Sequence, residues 1–154
     1  MDISIVFVIV GVVVAYLVGS IPTSVWISRH FFRMDIRQFG SGNAGATNAI
    51  RVLGPKAGFL VLIIDTLKGL FAIKLAHLFG YSLADNFFIN YQILLGIAAL
   101  VGHVFPVYVG FKGGKGIATL FGVLIALYPF IILYLILIFV LVFTLTRIVS
   151  ISSM

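Results

Sequence analysis

A loop rich in glycine and small polar residues is the first part of the chain whose composition suits chemistry. It reads Gly40-Ser41-Gly42-Asn43-Ala44-Gly45-Ala46-Thr47-Asn48. Glycines let successive backbone N–H groups turn toward one point and surround an anion, and the short polar side chains add hydrogen-bonding groups beside them. Residues 40–45 also match the G-x-G-x-x-G pattern of dinucleotide sites, but no strand precedes them. The loop therefore predicts an oxyanion or phosphate site.

Arg51 adds a cation just beyond this loop. A helix that starts near Thr47 would place Arg51, four residues further on, on the same face. A guanidinium group binds two phosphate oxygens at once, which makes arginine well suited to such a site. The alternative is that the glycines only turn the chain and that Arg51 anchors a basic loop; the density of small polar residues favours binding.

A second glycine-rich loop carries two lysines. It reads Gly110-Phe111-Lys112-Gly113-Gly114-Lys115-Gly116. It is not a nucleotide-binding P-loop, because glycine rather than serine or threonine follows Lys115 and the upstream spacing differs. A helix predicted to start directly afterwards would turn its positive end toward an anion in the loop. The alternative is a simple basic turn between two membrane spans.

Groups for acid–base or metal chemistry are scarce. The chain has no cysteine and no glutamate, which excludes thiolate nucleophiles, disulfides and zinc–thiolate sites. We expect no metal and no cofactor. His103 could titrate near neutral pH, but a lone histidine in a helix is more often structural. Asp65 and Lys68 are spaced to pair on one helix face, either as a self-neutralising structural pair or to position a catalytic loop.

The composition requires that these loops be carried by membrane helices. Hydrophobic residues make up 62% of the chain and charged residues only 9%, against roughly a quarter charged in an average soluble domain. A spanning helix needs about 20 mainly apolar residues. The sequence predicts an all-α, polytopic bundle in one membrane domain. Its five spans are placed at residues 3–27, 57–79, 87–109, 117–128 and 129–146, with motif loops at 28–56 and 110–116.

The basic residues predict the orientation of these spans. Lysine and arginine are retained preferentially in cytoplasmic loops. Eight of the ten fall on one predicted side: Arg29, Arg33, Arg37, Arg51, Lys56, Lys112, Lys115 and Arg147. The other side carries Asp2 and Asp85. We expect the N-terminus outside and both motif loops and the C-terminus in the cytoplasm. In so apolar a chain, the net charge of +6 points to phosphate-bearing lipids or substrates and not to nucleic acid.

Taken in order, the motifs resemble one known family. The residues that carry the resemblance are Gly19-Ser20-Ile21-Pro22-Thr23, the loop 40–48 with Arg51, Asp65-x-x-Lys68-Gly69, and Gly102-His103-x-Phe105-Pro106 through 111–119. Their order and spacing are similar to those of the bacterial glycerol-3-phosphate acyltransferases that use acyl phosphate. The resemblance covers essentially the whole chain.

The resemblance implies a reaction and a set of roles. An acyl group would move from acyl phosphate to the sn-1 hydroxyl of glycerol 3-phosphate, giving lysophosphatidic acid and phosphate at the bacterial inner membrane, without a protein general base. Ser41, Arg51 and Lys115 would act in catalysis by engaging substrate phosphates. Substrate-binding positions would be Gly42, Asn43, Gly45, Thr47, Asn48, Gly113, Gly114 and Gly116.

The chain departs from the family at its end. Family members have seven spans and continue past the region that matches residues 147–150 into a polar segment that also contacts substrate, whereas this sequence stops at Met154. We therefore expect weak or absent turnover from this polypeptide alone. Two other interpretations stay open: an inactive fragment of the enzyme that does not bind glycerol 3-phosphate, and a small membrane component that transports an anion.

Overall fold

The computed structural model describes residues 3–79 and 85–146, which are mainly helical. The helices, in chain order, are α1 (Ile3–Gly19), α2 (Thr23–Phe32), α3 (Ala46–Leu53), α4 (Pro55–Lys74), α5 (Ala76–Phe79), α6 (Asp85–Val104), α7 (Ile117–Leu127) and α8 (Pro129–Thr146). Two short 3₁₀ turns lie at Ile36–Gln38 and Val107–Val109. Asp2 and Arg147, which entered the prediction of orientation, lie outside the described residues.

The first predicted span contains a break between two helices. The sequence predicted a single segment over residues 3–27, but α1 ends at Gly19 and α2 begins at Thr23. Pro22 explains the break, because it has no N–H to donate to the preceding turn and its ring clashes with the carbonyl four residues earlier. The predicted loop 28–56 likewise contains the end of α2, the whole of α3 and the start of α4.

The number of membrane spans is only partly settled by length and composition. Residues 5–32 and 87–109 are long and apolar enough to cross a membrane. Residues 117–127 and 129–142 pass the same test only together, with a bend of 119° between them. The helix α4 carries Lys56, Asp65, Lys68 and Lys74, and such charges are costly in a lipid interior. The count of five stays a prediction.

Close helix packing depends on glycine at the crossing of α4 and α7. A methyl group at Gly69 would overlap the Thr119 carbonyl oxygen, and one at Gly122 would overlap the Thr66 carbonyl oxygen. Small residues let membrane helices approach until their backbones touch. This contact fixes the start of α7 beside the middle of α4, where Asp65 lies.

Two apolar clusters support the rest. One joins α1, the α4–α5 region and α6 through Ala15, Ala72, Leu75, Ala76, Tyr91, Leu95, Ala98 and Ala99. The other lies under the first glycine-rich loop and contains Val25, Ile36, Ala44, Ala49 and Val61. The Ser24 hydroxyl donates a hydrogen bond of 2.8 Å to the Ala44 carbonyl. The first motif loop is therefore packed on the helices and not loosely attached.

Candidate active site

Both glycine-rich loops border one cleft of about 400 Å³. Eight of the predicted site residues line it: Ser41, Asn43, Gly45, Thr47, Asn48, Arg51, Lys115 and Gly116. Ala46, Leu62, Asp65, His103, Ile117 and Ala118 complete the lining. Gly42, Gly113 and Gly114 are not part of it. Residues more than sixty positions apart in the sequence thus face the same space.

Two helices begin at this cleft. The helix α3 starts at Ala46 and α7 starts at Ile117, and in neither does a side chain cap the first turn. The first N–H groups of a helix have no partner within it and carry partial positive charge, which favours an anion in front of them. Arg51 lies on α3, one turn beyond Thr47, as the spacing predicted. The cleft therefore combines two positive helix ends with two cationic side chains.

Asn48 shapes the first loop. Its side-chain oxygen accepts the Ser41 N–H at 2.9 Å, and its amide nitrogen donates to the carbonyls of Ile36 at 3.3 Å and Phe39 at 3.1 Å. Both of its donor hydrogens are therefore used within the protein. The sequence placed Asn48 among the substrate-binding residues; it lines the cleft, and its hydrogen bonds hold the backbone that presents Ser41.

Left-handed backbone at two glycines bends the same loop. Gly40 has a φ of 62° and Gly42 a φ of 71°, values that cost a residue with a side chain appreciable strain. Gly42 is thus needed for the turn, although it does not line the cleft. Its role in the loop is conformational.

The second loop uses two of its amides to close α6. The Gly113 N–H donates to the Val104 carbonyl at 3.1 Å, and the Gly114 N–H donates to the His103 carbonyl at 3.3 Å. These amides satisfy carbonyls at the helix end that would otherwise lack partners. Gly113 and Gly114 border a separate cavity of about 10 Å³. The backbone donors at the main cleft come instead from the start of α7.

A buried polar cluster forms the floor of the cleft. Asp65 is 1% exposed and accepts hydrogen bonds from the Thr23 hydroxyl at 2.8 Å and the Lys68 ammonium at 2.9 Å. Lys68 also donates to the Ile21 carbonyl at 2.9 Å. The His103 Nδ1 lies 3.1 Å from the Thr119 hydroxyl and 3.9 Å from Asp65. The predicted Asp65–Lys68 pair forms, and it joins α4 to the break between α1 and α2.

Sequence reasoning missed a second ionic cluster beside the cleft. Asp35 accepts hydrogen bonds from Arg37 and Arg29, each at 2.8 Å to the same carboxylate oxygen. The hydrogen bond from Arg37 holds the pKa of Asp35 well below its ordinary value of 3.8, partial burial acts in the opposite direction, and Arg29 lowers it further. The same pairing raises the pKa of Arg37. The Asp-x-Arg spacing just before the glycine-rich loop was the available signal.

Comparison with known proteins gives one consistent result. The family model described as glycerol-3-phosphate acyltransferase matches residues 9–154. A glycerol-3-phosphate acyltransferase of Enterococcus faecalis is 49% identical over 96% of this chain and 65% of its own length. The Chlorobaculum parvum protein of the same name is 49% identical over 92% and 63%, and that of Listeria welshimeri is 45% identical over 91% and 69%. The chain thus spans about two thirds of the length of these relatives.

Solved structures agree in fold. The glycerol 3-phosphate form of PlsY, an integral membrane glycerol 3-phosphate acyltransferase, is 39% identical with a TM-score of 0.73. The match covers 95% of this chain and 70% of that one. Its lysophosphatidic acid form is 38% identical with a TM-score of 0.72, over 95% and 69%. Together with the apolar helices, this similarity identifies a multi-pass membrane protein.

Proposed function

Because the chain belongs to the glycerol-3-phosphate acyltransferase family, we propose that it moves a fatty acyl group from acyl phosphate to the sn-1 hydroxyl of glycerol 3-phosphate. The products are lysophosphatidic acid and inorganic phosphate. Both substrates carry phosphate, and one also carries an apolar tail that can stay in the lipid. A positively charged cleft between membrane helices suits this combination.

The observation that carries the proposal is the convergence of positive groups on one cleft. The uncapped starts of α3 and α7 meet there with Arg51 and Lys115. The only carboxylate among the lining residues, Asp65, is already paired with Lys68. The cleft is therefore suited to phosphate and poorly suited to a cation. Ser41, Arg51 and Lys115 are the proposed catalytic contacts, with Asn43, Gly45, Thr47 and Gly116 around them.

The reaction needs orientation and charge neutralisation more than a protein base. The glycerol oxygen forms a bond to the acyl carbon, the bond from that carbon to the phosphate oxygen breaks, and phosphate leaves with its electrons. The hydroxyl proton passes to a substrate phosphate oxygen. Acyl phosphate is already activated, so holding the two reactants in line and stabilising the developing negative charge can supply much of the rate.

The proposed location is the bacterial inner membrane, with the cleft open to the cytoplasm. Apart from Lys68 and Lys74 in α4, the lysines and arginines of the described residues lie in or next to the two motif loops, the pattern of cytoplasmic segments. Glycerol 3-phosphate would then enter from the water and acyl phosphate from the lipid.

Phosphate release tests this proposal directly. Purified chain in detergent receives acyl phosphate and glycerol 3-phosphate, and we compare the parent with Ser41→Ala, Arg51→Ala and Lys115→Ala. Loss of one contact to phosphate should weaken binding or turnover, by about tenfold or more for the charged Arg51 and Lys115. Lys112→Ala is the matched control, because Lys112 lies in the same loop but does not line the cleft. Equal and measurable release from the parent and the three cleft variants would overturn the site.

Binding separates the proposal from its alternatives. Calorimetric titration with glycerol 3-phosphate should show binding by the parent and by Lys112→Ala, with weaker binding by Arg51→Ala and Lys115→Ala. A chain that binds none is the inactive fragment. A chain that binds glycerol 3-phosphate and carries it across vesicles without acyl transfer is the anion transporter, and the acyltransferase proposal is then wrong.

A further inference from the structure

Arg37 is held in one conformation by a two-pronged ion pair. Its Nε donates to Asp35 Oδ1 at 3.0 Å, and its Nη2 donates to Asp35 Oδ2 at 2.8 Å. Asp35 also accepts the Arg37 backbone N–H at 3.1 Å. Two parallel bonds between a planar guanidinium and a carboxylate fix direction as well as distance. The remaining nitrogen, Nη1, is therefore aimed by the pair.

That nitrogen reaches the second loop. Nη1 donates to the Val109 carbonyl at 2.9 Å and lies 3.5 Å from the Lys112 carbonyl. Among the described residues, these are the only side-chain hydrogen bonds between the segment 33–45 and the segment 105–116. One guanidinium thus spans from the loop of Ser41 to the loop of Lys115.

Burial separates Arg37 from its neighbour Arg29. The Arg37 side chain is 20% exposed and Asp35 is 15% exposed, whereas Arg29 is 52% exposed. Exposed ion pairs contribute little to stability, while partly buried, two-pronged pairs are stronger. Arg29 contacts Asp35 but makes no hydrogen bond to the second loop. The chain therefore contains a natural control for the role of Arg37.

We propose that Arg37 is a positioning residue that holds the Lys115 loop against the Ser41–Arg51 loop, so that both walls of the cleft can contact one phosphate group. The inference rests on the proposed function, since it concerns how the two loops that form that cleft are held in position relative to each other. Arg37 does not line the cleft, so it would act on the site through the two loops that it joins. Displacements of about 1 Å at a site that depends on orientation can cost a hundredfold in rate.

The distance between the loops can be measured without any activity. The chain has no cysteine, so Gln38→Cys and Lys112→Cys introduce the only two thiols, one on each loop, for spin labels. In the labelled full chain, Arg37→Gln should broaden the distribution of distances between the labels. Arg37→Lys should broaden it less, because lysine can keep one of the bonds. Arg29→Ala should leave it unchanged.

Kinetics test whether the relative position of the two loops matters for the site. Without labels, Arg37→Gln should raise the KM for glycerol 3-phosphate, or its Kd in calorimetry, by about tenfold. Arg37→Lys should restore part of this loss and Arg29→Ala should show none. The midpoint of thermal unfolding in detergent is measured for each variant, so that a general loss of stability is recognised. If Arg37→Gln keeps the helicity and the thermal midpoint of the parent but has a raised KM, the residue acts by positioning the loops and not by stabilising the fold.

Three results would overturn the inference. Unchanged label distances in Arg37→Gln would show that Arg37 does not join the loops. Broadened distances with unaltered affinity for glycerol 3-phosphate would show that the relative position of the loops does not serve the site. Equal effects of Arg29→Ala and Arg37→Gln on distance and affinity would point to Asp35 alone. A parent that neither binds nor acylates glycerol 3-phosphate refutes the proposed function and the positioning role together, while the label distances still report whether Arg37 joins the loops.

Discussion

Asn48 makes three hydrogen bonds to the backbone of the first loop and is 2% exposed. We expect Asn48→Asp to lower the free energy of unfolding by about 2–4 kcal/mol, because the new carboxylate oxygen would face the carbonyls of Ile36 and Phe39. Thermal unfolding in detergent measures the change.

Asn43→Asp is the control for this prediction. Asn43 lines the same cleft, and its side chain makes no hydrogen bond within the described residues. The stability of this variant should stay within about 0.5 kcal/mol of the parent. Similar losses in both variants would mean that added charge, and not the lost donors, is responsible.

Asp35 should make stability depend on pH in the acid range. Hydrogen bonding from Arg37 lowers the pKa of this carboxyl below 3.8, so its contribution is complete above about pH 5 and fades as pH falls through the folded-state pKa. The parent should therefore be more stable than Asp35→Asn at pH 6, with a difference that shrinks below pH 4. Thermal midpoints from pH 3 to pH 7 test this, and a constant difference would contradict it.

At this scale, the sequence predicted which residues meet better than what each one does. Gly, Ser, Asn and Thr at 40–48 indicated an anion site, and the loop does border a positive cleft. The sequence could not distinguish the role of Asn48, whose side chain bonds to the backbone, from that of Asn43, whose side chain faces the open cleft. That distinction depends on the path of the chain through Ile36 and Phe39, and no local pattern encodes it.

Among the elements, α4 is fastened to its neighbours by the Asp65–Lys68 pair. Removing only the lysine in Lys68→Met leaves a buried carboxylate without its cation and should cost about 3–5 kcal/mol. The double variant Asp65→Asn, Lys68→Met should recover much of this loss, because no unpaired charge remains. A double-mutant cycle by thermal unfolding measures the coupling. Additive losses would mean that the two side chains do not interact.

The same elements mark where reading the sequence fell short. Hydropathy favours one continuous helix over residues 3–27, yet the helix is interrupted between Gly19 and Thr23. Pro22 was visible, but its effect depends on whether neighbouring groups satisfy the freed carbonyls. Here the Ile21 carbonyl accepts the Lys68 ammonium, a contact between residues 47 positions apart. A tertiary contact between residues so far apart cannot be predicted from a local sequence pattern.

For the whole molecule, orientation in the membrane is the most accessible prediction. In the cysteine-free chain, Lys112→Cys should react with a membrane-impermeant maleimide only after the cytoplasmic side is opened. Leu78→Cys, which is 66% exposed at the far end of α4 and α5, should react in intact cells. The reverse pattern would invert the proposed topology, and labelling of both from one side would remove α6, which lies between the two labels, as a span.

Composition and motif order were sufficient for the class of molecule and its family, since 62% apolar residues exclude a soluble surface. They were not sufficient for the number of spans. The charges on α4 make that helix ambiguous by hydropathy. Its packing on α7 through Gly69 and Gly122 and the pairing of Asp65 with Lys68 explain how it is accommodated.

The cleft is assembled from distant parts of the chain, which has a consequence for biosynthesis. Ser41 and Arg51 leave the ribosome well before the start of α7, so the first wall of the site must wait, inserted but incomplete, for the second. The proposed ligand, glycerol 3-phosphate, would find no finished site during that interval. Saturable capture of the ligand by arrested nascent chains should begin only once α7 has emerged, so it would report when both walls of the cleft are in place.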